Sequence, residues 1–124
     1  MDVGNGVTSI PANAFKNFKN LTTVKMGSEV KTVGKNAFSG CKKLKTVTVG
    51  KSVAKIGAKS FYGCSKIKTL TIKSTKLTAK KIGSKAFTKT PKNMTVKVPK
   101  KKFKAYKSML IKCGVNKNAK FKKN

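Results

Sequence analysis

The sequence predicts an α/β solenoid of about four stacked 23-residue units, with one parallel sheet on its concave face and a capping helix at the C-terminus. Three observations support this prediction: a motif that recurs at a fixed period, an apolar–polar alternation inside each copy, and helical periodicity after Pro99. A fixed period of this length is typical of solenoids, because a single unit cannot bury its own apolar face and stacked units can.

The repeat emerges when the chain is aligned on Phe15, Phe38 and Phe61. Units then span residues 7–29, 30–52 and 53–75, and residues 76–98 form a degenerate fourth unit. The fourth unit contains a three-residue insertion near Leu77 and has Asn93 where the others have Leu or Ile. The recurring apolar columns are Val7/Val30/Val53, Ile10/Val33/Ile56, Ala14/Ala37/Ser60, Phe18/Cys41/Cys64, Leu21/Leu44/Ile67, Val24/Val47/Leu70 and Met26/Val49/Ile72. We therefore assign residues 1–98 to the repeats.

Each unit contains a strand, a glycine turn and a short turn of helix. The segment LKTVTVG alternates with period two, so Val47 and Val49 are expected to point inward and Thr46 and Thr48 outward. The segment VxxIGxxAF predicts an extended piece, a turn at the glycine (Gly34 in the second unit) and a helical turn that carries the Phe.

Residues 99–124 are predicted to form a C-terminal cap. An amphipathic helix is expected over about 100–113, because Phe103, Tyr106, Leu110 and Cys113 lie on one helical stripe. The tail is expected to add a short strand through Phe121. No comparable cap precedes the first unit, so we expect this chain to be the C-terminal part of a longer array.

Composition argues against catalysis. The chain has 31 Lys, no Arg, no His and two acids, Asp2 and Glu29, for a net charge of +29. General acid–base chemistry needs a positioned titrating group, and this composition offers no pair for it. The three cysteines show no CxxC spacing and have no His to complete a metal set. We therefore predict no enzyme activity, no cofactor and no metal site.

The cysteines have two interpretations. Cys41 and Cys64 lie one repeat apart, so a disulfide between stacked neighbours is geometrically conceivable. We favour the alternative that both are small buried hydrophobes.

The columns V-x-x-I-G-x-x-A-F-x-x-C-x-x-L-x-x-V-x-V resemble the BspA-like leucine-rich repeat of bacterial surface proteins over roughly residues 7–98. The departures are Pro11 for the turn glycine, Phe18 and Thr90 for Cys, and Ser60 for Ala. The resemblance implies a curved right-handed leucine-rich-repeat solenoid with a parallel concave sheet. It also implies an extracellular or cell-surface protein with a role in adhesion to host or neighbouring cells.

Two groups of residues are candidates for binding. The outward strand positions on the concave face are Thr23, Lys25, Thr46, Thr48, Thr69, Thr71, Thr95 and Lys97. The candidate polyanion contacts are Lys43, Lys45, Lys66 and Lys68, which stack like charges one repeat apart. The plain alternatives are that Thr is simply a good exposed strand residue and that the lysines form a solvated surface.

Two functions remain open from sequence. In the first, the concave face binds a protein or an anionic polysaccharide on a host or bacterial surface. In the second, the chain is a structural end-cap or spacer that docks the protein on an anionic envelope polymer, such as a cell-wall polymer, through its Lys-rich surface. Nucleic acid is an unlikely partner, because there is no Arg for base readout and the Phe residues belong to core columns. The sequence contains no transmembrane segment, and it does not fix the oligomeric state.

Overall fold

The computed structural model describes residues 1–4 and 6–124, and in them the chain forms two parallel sheets and an α-helix. The strands are β1 (Asp2–Val3), β2 (Ser9–Ile10), β3 (Thr23–Met26), β4 (Thr32–Val33), β5 (Thr46–Val49), β6 (Lys55–Ile56), β7 (Thr69–Ile72), β8 (Thr95–Val98) and β9 (Lys120–Lys123). Two 3₁₀ turns, Ala79–Lys81 and Lys100–Lys102, and one helix, α1 (Phe103–Lys112), complete the list. The large sheet has the order β1-β3-β5-β7-β8-β9, and the small sheet has the order β2-β4-β6.

The strand register confirms the solenoid and the apolar columns of the strands. Val47 pairs with Leu70 and Leu70 with Val96, so equivalent residues of successive units are direct neighbours. These apolar side chains are fully buried, whereas the intervening Thr and Lys side chains face outward. In the first unit, however, Val7, Ala14 and Phe18 of the predicted apolar columns are exposed. The large sheet also begins before the first predicted unit, because Asp2 and Val3 of β1 pair with Lys25 and Met26.

The prediction of a helical turn around the Phe of each unit is wrong, because this segment forms consecutive non-helical turns. Asn36 and Gly40 both adopt left-handed backbone conformations, with φ of 59° and 73°, which a right-handed helix excludes. Consequently the N–H groups of Asn36, Phe38 and Gly40 point to the next unit. They donate to the carbonyls of Ala58, Ser60 and Tyr62 at 3.0, 2.7 and 2.8 Å. Successive units are thus joined by backbone hydrogen bonds through their turns as well as through both sheets.

The turn glycines allow the units to approach each other closely. A Cβ added at Gly57 would lie 2.5 Å from the backbone nitrogen of Lys35 in the preceding unit. Real Cβ contacts are never this short, so glycine is required here by the backbone of the neighbouring unit.

Four aromatic rings form the centre of the core. Phe15, Phe38, Phe61 and Phe87 stack in order, with ring centroids 5.3, 5.2 and 5.2 Å apart and nearly parallel planes. The predicted apolar role of the Cys column is also confirmed, since Cys41 and Cys64 are fully buried free thiols.

The fourth unit is less degenerate than its sequence suggests. Met94 is buried and Asn93 is exposed. Strand β8 is nevertheless in register with β7, and this register aligns Asn93 with the buried Ile67 and Met94 with the exposed Lys68. In the fourth unit the buried residue before the strand therefore comes one position later.

The C-terminal segment contains the predicted helix and the predicted strand. Helix α1 begins at Phe103 and ends at Lys112, after the 3₁₀ turn Lys100–Lys102, and it buries Tyr106 and Leu110 against the last unit. Strand β9 pairs with β8, which confirms the short strand predicted through Phe121. The Tyr106 hydroxyl accepts a hydrogen bond from Leu77 N–H (3.1 Å), which ties the inserted segment to the cap.

Candidate binding surfaces

The eight predicted concave-face residues lie together on the outward side of the large sheet, and we call this surface the Thr/Lys face. Thr23, Thr46, Thr69 and Thr95 form one row of paired neighbours, and Lys25, Thr48, Thr71 and Lys97 form the second. The four Thr of β5 and β7 are half-buried, whereas Lys25 and Lys97 are exposed. The result is a hydroxyl-rich centre with a lysine on each side.

The edge strands extend both rows with charges that the sequence analysis missed. Asp2 of β1 pairs with Lys25, and Lys120 and Lys122 of β9 pair with Thr95 and Lys97. The Thr/Lys face therefore has a carboxylate at one edge and two additional lysines at the other. Asp2 lies one 23-residue period before Lys25, ahead of the first predicted unit. Lys120 and Lys122 fall outside the period, although the alternation in KFKK is a strand signal for them.

The four predicted polyanion contacts are all exposed. The backbone N–H of Lys68 donates to the carbonyl of Lys45 at 2.8 Å, so these two residues are stacked as predicted. Neighbouring ammonium groups on adjacent strands repel each other, and an anion bound between them would remove this cost.

A cleft of about 490 Å³ joins the two predicted groups. Its walls include Lys66 and Lys68 from one group and Thr69 and Thr95 from the other. Asn93 also lines it, because the late entry of Met94 into the core leaves the Asn93 side chain exposed beside the cleft. Four of the twelve predicted residues thus surround one concavity that offers ammonium, hydroxyl and amide groups.

The cleft's positive charge has no acidic neighbour in its own units. Asp2 and Glu29 are the only acids of the chain, and both belong to its first 29 residues. Glu29 Oε2 already accepts a hydrogen bond from Gly6 N–H at 2.8 Å. An external anion is therefore the natural counter-charge for Lys66 and Lys68.

The cysteine thiols are not placed for chemistry. Burial, together with the neighbouring Cys41, raises the pKa of the Cys64 thiol to about 12. Burial also raises the pKa values of the Cys41 and Cys113 thiols. Cys41 and Cys64 donate their Sγ–H groups to the carbonyls of Phe15 (3.1 Å) and Phe38 (3.0 Å). Protonated thiols are poor nucleophiles and poor metal ligands, so their role here is to fill the core. Within residues 1–4 and 6–124, no group of three or more His, Cys, Asp or Glu residues is placed to hold a metal ion.

A model of the BspA-type leucine-rich repeat region, in six copies, matches residues 1–123. The chain belongs to this family. The number of copies equals the number of strands in the large sheet, and the match extends through the segment predicted as a cap. Leucine-rich repeats of this kind are typically non-catalytic modules for protein interaction or structure, and the BspA type is typically surface-associated.

A crystal structure supports the same assignment. The leucine-rich repeat protein from Bacteroides ovatus resembles this chain with a TM-score of 0.74 and 28% sequence identity. The match covers 96% of this chain but 29% of the Bacteroides ovatus protein. No curated protein matches the chain. Among the residues that the structure describes, no helix has the length and apolar character needed to cross a bilayer.

Proposed function

We propose that this BspA-type chain is a non-catalytic adhesion module of a secreted or cell-surface protein, and that its Thr/Lys face contacts a host or bacterial surface component. The observation that carries the proposal is the 490 Å³ cleft, where Lys66 and Lys68 lie beside Thr69 and Thr95. Ammonium groups bind anionic groups, and Thr hydroxyls both donate and accept hydrogen bonds. An acidic protein surface or an anionic polysaccharide is the partner class that fits this combination.

The rigidity of the surface favours binding. The Thr rows belong to strands that pair on both sides and whose inward side chains are fully buried. Groups held in this way lose little conformational freedom when a partner binds, so more of the interaction energy appears as affinity.

A second function is favoured by the net charge of +29. Here the chain is a structural end-cap or spacer that docks on an anionic envelope polymer through its lysines in general. Binding would then depend on the number of lysines and not on their positions, because counterion release is insensitive to detailed geometry.

The two functions are separated by paired variants of equal charge. Lys66→Gln/Lys68→Gln removes two charges from the cleft, and Lys80→Gln/Lys117→Gln removes two exposed charges elsewhere. A third variant, Thr46→Val/Thr48→Val/Thr69→Val/Thr71→Val, removes hydroxyls but keeps β-branched side chains in the strands. The measurement is binding to heparin, teichoic acid and DNA over a salt titration.

For the adhesion module, we expect the cleft and Thr variants to lose about tenfold in affinity for one polymer at physiological salt. The Lys80→Gln/Lys117→Gln control should lose much less. The adhesion proposal is wrong if both double lysine variants lose the same affinity and all three polymers dissociate together as salt rises. That result would support the spacer function.

A further inference from the structure

The turns of the third and fourth units carry a group of lysines around an aromatic ring. We call Lys59, Tyr62, Lys85 and Lys89 the Tyr62 cluster. The Nζ atoms of Lys59 and Lys89 lie 5.5 and 5.4 Å from the centroid of the Tyr62 ring. The ring is half-buried and the lysines are exposed. This cluster shares no residue with the Thr/Lys face or with the cleft.

The lysines occupy backbone positions that suit other residues better. Lys59, Lys85 and Lys89 have φ values of 57°, 59° and 64°, in the left-handed region. In the other units these columns hold Asn13 and Asn36, or Asn17, Gly40 and Gly63. Asn and Gly adopt this conformation at lower cost than Lys does. The third and fourth units therefore carry lysines at the positions where local backbone preference argues against them.

Backbone hydrogen bonds hold the cluster together across two units. Tyr62 N–H donates to the Lys59 carbonyl at 3.2 Å, which places these residues in one turn. Gly63 N–H donates to the Thr88 carbonyl at 2.9 Å, which brings the Lys89 turn beside the Tyr62 turn. Lys59 N–H donates to the Ser84 carbonyl, next to Lys85, at 3.1 Å. The positions of the charged side chains are thus set by a fixed backbone framework.

The charges of the cluster are not matched by acids of the chain. Asp2 and Glu29 belong to the first 29 residues, and the cluster lies in the third and fourth units. The Tyr62 ring attracts both ammonium groups through its electron-rich face, which keeps them close despite their mutual repulsion. Two ammonium groups beside a flat aromatic ring suit a charged sugar, because the ammonium groups attract an anionic ester and the ring offers an apolar surface to the sugar that carries it.

We propose that the Tyr62 cluster binds a sulfate or phosphate ester on a sugar. On binding, the ammonium groups of Lys59 and Lys89 turn from the Tyr62 ring to the ester oxygens, and Lys85 adds a third positive charge to the rim. The sugar ring packs on the part of Tyr62 that the two lysines leave. This site is separate from the Thr/Lys face, so its existence does not depend on the function proposed for that face.

The decisive variant replaces the lysines by the residues of the other units. Lys59→Asn and Lys89→Gly each restore a residue that the same column holds elsewhere in the chain. The double variant should therefore fold at least as stably as the parent, which a thermal melt checks. Its matched control is Lys80→Gln/Lys117→Gln, which removes the same charge from exposed positions outside the cluster.

Binding is measured at physiological salt with a heparin oligosaccharide, wall teichoic acid and polygalacturonate. Heparin carries sulfate groups together with carboxylates, teichoic acid carries phosphodiesters, and polygalacturonate carries carboxylates alone. We expect Lys59→Asn/Lys89→Gly to lower the affinity for the sulfated or the phosphorylated probe by about tenfold. The control should lower this affinity far less. The affected probe identifies the ester. Equal losses in both variants, or tightest binding of polygalacturonate, would overturn the proposal.

Fluorescence provides a second measurement. The chain has two Tyr and no Trp, and Tyr106 is the buried one. In a Tyr106→Phe background, Tyr62 is the sole tyrosine and dominates the emission. A saturable change in its emission on titration with the heparin oligosaccharide or teichoic acid is expected. An unchanged spectrum while the polymer binds would place the binding elsewhere and contradict the proposal. Loss of the Thr/Lys-face effect with retention of the Tyr62 effect, or the reverse, shows which of the two sites is real.

Discussion

At the scale of single residues, the core is built from repeated contacts between identical side chains. Phe38 is fully buried between Phe15 and Phe61, with its ring nearly parallel to both. Phe18, in contrast, is 52% exposed and touches Phe15 edge-on at 5.7 Å between centroids. Two residues of the same type therefore differ in how much apolar area they remove from water.

This difference predicts unequal effects of truncation. Phe38→Ala should lower the free energy of unfolding by about 3–5 kcal/mol, because it removes buried area and leaves a cavity between two stacked rings. Small domains have about 5–15 kcal/mol in total, so this variant is close to unfolding. Phe18→Ala is the control and should cost no more than about 1 kcal/mol. Urea titrations of the three proteins measure both values, and equal losses would contradict the stacked-core account.

Buried serine hydroxyls in the core donate hydrogen bonds to nearby backbone carbonyls. Ser60 takes the Ala column and is fully buried, and its hydroxyl donates to the carbonyls of Gly57 and Gly34. Ser74 is also fully buried and donates to the Val53 carbonyl at 2.5 Å. A hydroxyl in the core is tolerated here because a backbone carbonyl of the same or the preceding unit accepts a hydrogen bond from it.

At the scale of elements, the strands were predictable and the turns were not. Strict alternation in TVTV has only one interpretation, since period two places Val47 and Val49 on one side. The turn segment carries apolar residues that also suit a helix. Its conformation is decided by alternate left-handed residues such as Asn36 and Gly40, and a short sequence pattern does not reveal these.

The candidate sites were predictable to different degrees. The Thr/Lys face follows directly from the strand columns, so its eight residues were found from sequence. The cleft depends on Met94 entering the core one residue late, a tertiary effect that a fixed period hides. The Tyr62 cluster could have been predicted from the sequence, because Lys59 and Lys89 occupy columns where other units have Asn or Gly. Departures from a repeat are therefore as informative as the repeat.

A hydrogen bond links the C-terminal helix to the insertion. Tyr106→Phe removes the hydroxyl that accepts from Leu77 N–H and leaves that buried donor without its partner. We expect a loss of about 1–3 kcal/mol in the free energy of unfolding. Amide hydrogen exchange should accelerate first in residues 73–81, which the hydroxyl anchors.

Tyr62→Phe is the matched control, because it removes the same group from a half-buried residue in the turn of the third unit. It should leave exchange in residues 73–81 unchanged. If Tyr106→Phe also leaves this exchange unchanged, the insertion is held by its own contacts, such as those of Ser74, and not by the cap.

At the scale of the whole molecule, charge opposes the fold that the apolar columns hold together. The net charge is +29, and like charges recur in register because the units are stacked, as with Lys45 and Lys68. Each such pair costs a few tenths of a kcal/mol, about 0.2–1 at most. The folded state gathers these charges more closely than the unfolded chain does, so folding carries an electrostatic cost.

This cost predicts that salt stabilises the protein. Raising NaCl from about 50 to 500 mM shortens the screening length from roughly 14 to 4 Å, which removes most repulsion between neighbouring units. The urea midpoint should therefore rise, whereas a protein held by surface ion pairs would lose stability. Lys45→Glu places an acid beside Lys68 and should raise the midpoint at low salt, with the gain shrinking at high salt. A midpoint that does not move with salt, in the parent or the variant, would show that the lysines are too well solvated to repel one another. The case for bound anions as counter-charges would then have to rest on the cleft and the Tyr62 cluster alone.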